Sequence, residues 1–140
     1  KGQFSPEAAS VDRSKRWDRI VKEALQQSGS PIATKVFEPQ TLDQALDCWH
    51  HSSNGKYCSF VLHEDPAIQT SLFSKMTEKP EKLAVTVGCE GGMSEEELGK
   101  LTSSGFEKIH FNTNILRAET ASLYGISVLQ FVSMEFKTWK

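Results

Sequence analysis

The chain has 140 residues, enough for one hydrophobic core and too few for two comfortable domains, and its 38% hydrophobic and 24% charged content is that of an ordinary globular protein. The formal net charge of -2 excludes binding nucleic acid through a generally basic surface, so any polyanion must be held by a local patch. No apolar run approaches the length of a membrane span, and His50, His51, His63 and His110 lack metal-site spacing, so neither a membrane nor a metal is expected as a partner.

Residues 1–12 are polar and proline-broken and read as a mobile N-terminal lead-in, leaving 13–140 as a single domain. Trp17, Ile20, Val21, Ala24 and Leu25 fall at helical spacing and predict an amphipathic helix over Arg13–Gln27, closed by Gly29 and Pro31. Its other face carries Arg13, Lys15, Arg16, Arg19 and Lys22, which read either as a solvated helix face or as a patch facing phosphates. Ile32–Phe37 predicts a strand, and Thr41 with Gln44 a capping box that opens a helix to about His51.

Ser52-Ser53-Asn54-Gly55 is a turn cluster, Ser59–His63 a strand, and 67–76 a less regular helical piece stopped at Lys79-Pro80. The valine-rich run Leu83–Val87 has the pattern of a strand buried on both faces of a parallel sheet. Ser94 and Glu97 form a second capping box for a helix ending at Ser104-Gly105. Lys108–Phe111 is the next strand, 112–114 a tight loop, and Ala118 opens the last helix. Short strands alternating with helices mean an α/β domain with a mostly parallel sheet and flanking helices. Cys48, Cys58 and Cys89 form no metal-type pair and read as reduced thiols, in the cytoplasm, or in an organelle if a leader has been removed.

Two stretches carry the candidate chemistry. Gly88, Gly91 and Gly92 surround Glu90 where a strand hands over to a helix, a place for close backbone approach to a ligand or for an ordinary turn. The spacing matches neither a dinucleotide fingerprint nor a phosphate-binding P-loop. In Ile115-Leu116-Arg117-Ala118-Glu119-Thr120-Ala121 the acidic Glu119 is good helix design whatever the function. Arg117 is not required by that design; it either pairs with Glu90 or Glu119 or stabilises negative charge on a substrate.

The segments Val87–Glu97 and Ile115–Ala121 resemble the paired motifs of the RsmE family, SPOUT-superfamily methyltransferases of small-subunit ribosomal RNA, written there as I-G-P-E-G-G-F-S-x-x-E and L-G-x-R-I-L-R-x-E-T-A. Arg16-Trp17, Glu23-Ala24 and Gln27-Ser28-Gly29 resemble a further family stretch. The resemblance implies an α/β domain with a C-terminal deep trefoil knot, a homodimer, S-adenosyl-L-methionine as cofactor, and methylation of N3 of a uridine in 16S-type ribosomal RNA. It places cofactor-binding residues in three groups: Leu62, His63 and Glu64; Gly88, Glu90, Gly91 and Gly92; and Phe111, Asn112, Asn114, Ile115 and Leu116. Arg117 and Glu119 become the catalytic candidates, and Arg13, Lys15, Arg16 and Arg19 the RNA-binding ones.

Cys89 stands where the family has proline, which is expected to loosen its loop. Asn112 replaces a glycine, as a residue that tolerates positive φ. Asn114 and Ser30 replace arginines, and the family's N-terminal RNA-binding barrel is not in this sequence, so the RNA half of the site is expected to differ more than the cofactor half. A non-catalytic relative that keeps the knot and the dimer as a binding or assembly module is the rival reading.

Overall fold

The structure, a computed structural model, describes residues 6–52, 55–68, 70 and 72–136, with only the backbone described at 6–14 and 73. Two compact units divide the chain, Lys1–Thr41 and Leu42–Lys140. The first holds helix α1, Pro6–Ser28, which begins at Pro6 and not at Arg13. Proline is at home in a first helical turn, where its missing N–H costs nothing, and the alanines that follow are strong helix formers. Gly29 closes α1 as expected, with φ of 65° and its amide 3.0 Å from the Leu25 carbonyl. The stripe is only half covered: Trp17, Val21 and Leu25 are half-buried, while Ile20 and Ala24 are exposed.

The expected strand at Ile32–Phe37 does not form. Ile32, Val36 and Phe37 are all exposed, so no packing rewards an extended ladder, and Phe37 is instead covered by the Lys35 ammonium 4.5 Å from its ring centre.

The second unit is built on three parallel strands, β1 (Tyr57–Leu62), β2 (Lys82–Thr86) and β3 (Glu107–Ile109), in the order β2-β1-β3. Its helices are α2 (Leu42–Ser52), α3 (Leu72–Lys75), α4 (Glu95–Ser103) and α5 (Ala118–Glu135). The central strand is β1, with Ser59, Phe60 and Val61 all buried. The valine-rich β2 lies at the edge and is half-buried, a correction to the expectation of burial on both faces. Its apolar residues serve two different cores, and its outer edge pairs with nothing among the described strands.

Strand alternation sorts those cores. Phe60, Leu62, Leu83, Val85 and Ile109 pack with Leu72 of α3, Met76 just after it, and Leu129 and Val132 of α5. Val61 and Ala84 pack with Leu46 of α2, Leu98 and Leu101 of α4, and Phe106 in the loop that follows α4. Buried Ser59 is satisfied on this second face by the Trp49 indole N–H at 2.9 Å. Gly125 lets α5 lie low on the sheet: a Cβ there would stand 3.0 Å from Leu62 Cδ1 and 3.4 Å from Val85 Cγ2.

The helical piece expected at 67–76 shrinks to α3. Asp65 diverts the chain first, taking the Ala67 amide on its carboxylate at 2.8 Å and the Ile68 amide on its carbonyl at 3.1 Å, a local turn that competes with helix.

The Ser94–Glu97 capping box is present. The Glu97 amide donates to Ser94 Oγ at 3.2 Å, and the Ser94 amide donates to the Glu97 carboxylate at 2.8 Å. The Ser94 amide, and after it the Ser94 hydroxyl, hold the Glu97 carboxyl below the usual carboxylate range. A folded pKa below the unfolded one means that Glu97's contribution is present above about pH 4.3 and fades as the pH falls through the folded value. Ser94→Ala is expected to cost about 1 kcal/mol at neutral pH, read as a lower urea midpoint with unchanged slope.

Candidate functional site

In a parallel sheet the strand ends that point the same way collect their loops on one edge, and ligands bind there where the strand order reverses. Here β2 and β3 lie on opposite sides of β1, and the loops after all three strands wall one cavity of about 740 Å³. That volume lies within the ordinary range for a small-molecule site, about 300–1,000 Å³.

The first wall follows β1 and contains Leu62, His63, Glu64 and Pro66. The His63 amide donates to the Ile109 carbonyl at 2.9 Å, extending the β1–β3 ladder into the cavity rim.

The second wall is the glycine loop, Val87 to Met93. It closes as a turn in which the Gly92 amide donates to the Cys89 carbonyl at 2.9 Å, with φ of 76° at Gly92. Gly88 is required by its neighbour, since a Cβ would stand 3.0 Å from the Gly92 carbonyl carbon. Among the described residues a Cβ on Gly91 would meet nothing within 4 Å, so no contact among them demands glycine there. The Cys89 thiol donates to the Gly92 carbonyl at 3.3 Å, so the residue that stands in for proline adds a weak side-chain bond across the turn.

The third wall runs from Ile109 to Arg117 and continues into α5 at Ala118 and Ala121. Phe111 is seated edge-on against Tyr124 of α5, with ring centres 5.1 Å apart. The Thr113 amide donates to the Phe111 carbonyl at 2.6 Å, which tightens the loop across Asn112. Asn112 does this without positive φ, which no described non-glycine residue adopts, so the tolerance expected of it is not used. Ile115 lines the cavity and is 85% exposed, an apolar side chain left without cover.

All twelve expected cofactor-binding residues line this cavity, and so does Arg117. Glu119 does not; it is exposed in the first turn of α5. Arg117 is the N-cap of α5, exposed, with no side-chain capping bond and no ion pair among the described residues. Neither of its expected pairings, with Glu90 or with Glu119, is present there. Lys15, Arg16 and Arg19 are exposed on α1 in the other unit, Arg19 with Glu23 at 3.8 Å, and the side chain of Arg13 lies outside the described residues. Cys89 and Thr113, inside the loops 88–92 and 111–116 that the resemblance marks, also line the cavity, and so does His110, one residue before the second loop. His110 has no metal-site spacing, and in the sequence only its place beside the loop 111–116 marks it.

The wall chemistry is mixed. Leu62, Val87, Ile109, Ile115 and Leu116 present apolar surface beside the backbone of the glycine loop, and Arg117 is the only Lys or Arg among the lining residues. A polyphosphate would want more positive charge, whereas an aromatic heterocycle with hydrogen-bonding edges suits apolar walls beside accessible backbone. Among the described residues no group of three or more His, Cys, Asp or Glu could hold a metal ion, and no helix is long and apolar enough to cross a membrane.

Comparison with known proteins agrees with this geometry. The sequence profile of the family described as RNA methyltransferase domain matches residues 3–130. Ribosomal RNA small subunit methyltransferase E of Buchnera aphidicola is 29% identical over 126 residues, which are 90% of this chain and 47% of that protein. The methyltransferase E of Neisseria gonorrhoeae, solved with S-adenosyl methionine bound, superposes with a TM-score of 0.72 at 26% identity, over 94% of this chain and 52% of that one. A methyltransferase structure from Legionella pneumophila holding the cofactor SAM gives 0.76 at 26% identity, with the same coverage. The chain therefore spans about half the length of the relatives it matches. With a match over nearly its whole length and the same α/β frame, the chain belongs to the RNA methyltransferase domain family.

Proposed function

We propose that this chain is the catalytic domain of an S-adenosyl-L-methionine-dependent methyltransferase of the RsmE type, acting on N3 of a uridine in small-subunit ribosomal RNA. The observation that carries the reading is the convergence of both sequence motifs, 87–93 and 110–117, on one cavity with the end of β1. Its apolar walls, glycine-lined loop and single guanidinium among the described lining residues fit an adenosyl group better than a phosphorylated cofactor. When bound there, S-adenosyl-L-methionine would supply an activated methyl group.

The chain's own residues would do the rest. Gly88, Gly91 and Gly92 bring backbone close to the ligand, while Leu62, Ile115 and Leu116 cover an aromatic ring and exclude water from it. Arg117 stabilises the negative charge that grows on the uracil as its N3 proton leaves. Glu119, at the start of α5, shapes the field around Arg117 from outside the cavity. The reading extends to a SPOUT trefoil knot in the C-terminal part, to a cytoplasmic location, and to RNA contacts by Arg13, Lys15, Arg16 and Arg19; it rests there on the resemblance of the motifs and on the exposed basic face of α1. Titration calorimetry with S-adenosyl-L-methionine is the direct test. Binding heat is expected, and none at high cofactor concentration would leave the non-catalytic module in possession.

A homodimer belongs to the same proposal. Leu129 and Val132, in the apolar C-terminal run, are buried in the core, but Leu123, Ile126, Phe131 and Met134 of α5 remain more than half exposed. So much uncovered apolar surface on one helix suits a second copy of the chain. Sedimentation at micromolar concentration is expected to give a dimer; a monomer there would contradict it.

A further inference from the structure

Two histidines line the cavity, and their hydrogen bonds set opposite tautomers. His110 Nδ1 lies 3.0 Å from the carbonyl oxygen of His63. A carbonyl only accepts, so Nδ1 carries the proton and the neutral ring keeps a bare lone pair at Nε2. His63 is the reverse. Its Nδ1 lies 3.1 Å from the backbone amide of Asp65, which only donates, so Nδ1 accepts and Nε2 carries the proton. The cavity wall thus holds one imidazole acceptor and one imidazole donor, and the Nε2 of His110 has no hydrogen-bond partner among the described residues.

A uracil ring nitrogen is a poor nucleophile while it carries its proton. General-base catalysis works best with a base whose ordinary pKa lies near the working pH, and imidazole is the side chain that meets this condition. The competing carboxylates are less well supplied: Glu64 and Glu90 are exposed at the rim, and Glu119 does not line the cavity.

We infer that His110 is the catalytic base, taking the N3 proton of the target uracil on Nε2 while its Nδ1–H stays anchored on the His63 carbonyl. The inference rests on the methyltransferase reading of the cavity. In the step, the N3–H bond breaks as an N–H bond forms on His110, and the nitrogen's electron pair forms the new bond to the methyl carbon. The carbon–sulfur bond of the sulfonium donor breaks with its electrons left on sulfur, and the imidazolium then releases its proton to water. The half-buried ring is held at the end of β3 by that one hydrogen bond, so its position does not depend on the substrate. The titratable and charged groups lining the cavity with it are His63 and Glu64 after β1, Cys89 and Glu90 in the glycine loop, and Arg117 before α5.

His110→Asn is the informative variant, because the asparagine amide can still donate to the His63 carbonyl while the Nε2 acceptor is gone. With small-subunit ribosomal RNA and S-adenosyl-L-methionine, single-turnover transfer is expected to fall about 10²–10⁴-fold. Cofactor affinity by calorimetry should stay within a few-fold. The pH–rate profile of the unmodified protein is expected to carry an acidic limb that the variant's residual rate does not follow. His110→Ala, with added imidazole restoring part of the rate, provides a second readout. A variant rate within a few-fold of the original, or an acidic limb that persists in His110→Asn, overturns the role of His110 alone. Failure of the unmodified protein to bind the cofactor or to transfer a methyl group overturns the parent reading as well.

Discussion

Arg117→Ala is expected to abolish measurable methyl transfer, a loss of at least about 10²–10³-fold, while leaving the affinity for S-adenosyl-L-methionine within a few-fold. The large effect follows from what the side chain lacks. A guanidinium at a helix start is ordinarily tied down by an acidic neighbour, yet Arg117 has no ion pair among the described residues and lines the cavity with its charge uncommitted. Preorganised positive charge at the place where an anion develops stabilises the transition state more than the ground state, so its removal lowers the rate and not the binding. The fold should tolerate the change. Arg117 serves α5 through its backbone, whose carbonyl accepts the Ala121 amide at 2.8 Å, and alanine keeps that bond. Arg117→Lys retains charge but not the planar fork and is expected to fall between the two. Single-turnover transfer measured beside calorimetry separates the effects, and unchanged turnover in Arg117→Ala would take the residue out of the mechanism.

What could be read from the sequence was local. The Ser94–Glu97 box, the Gly29 stop and the start of α5 depend on residues a few positions apart, and each formed where the spacing placed it. The two halves of the cavity were legible for the same reason, since glycines at a strand end and Arg117 ahead of an apolar helix are short-range signals. Features that depend on distant parts of the chain were not legible. The run Leu83–Val87 looks fully buried by composition, but whether a strand is central or at an edge is decided by which way the chain crosses over, and β1 took the centre. Ile32–Phe37 has strand-forming residues but no strand to pair with among the described residues of its unit. The tautomers of His63 and His110 arise from one side-chain bond across 47 positions and one across two, and only the fold brings the first about.

The glycine loop supplies the second large effect. Gly88→Val is expected to weaken S-adenosyl-L-methionine binding at least tenfold, about 1.4 kcal/mol, because even a Cβ at this position stands 3.0 Å from the Gly92 carbonyl carbon. Backbone cannot yield as a flexible side chain does, so the turn closed by the Gly92 amide and the Cys89 thiol must spread, and the second wall moves with it. Lost affinity alone would not say whether the ligand touches the loop or merely needs its shape. Gly91→Ala decides that, since a methyl group there meets no atom of the described residues within 4 Å and should leave stability nearly unchanged. If Gly91 is glycine because the cofactor lies against it, the alanine variant binds more weakly while unfolding at the same urea concentration. If both variants bind as tightly as the original, the glycine loop is an ordinary strand-to-helix turn and the cofactor must be held by the other two walls.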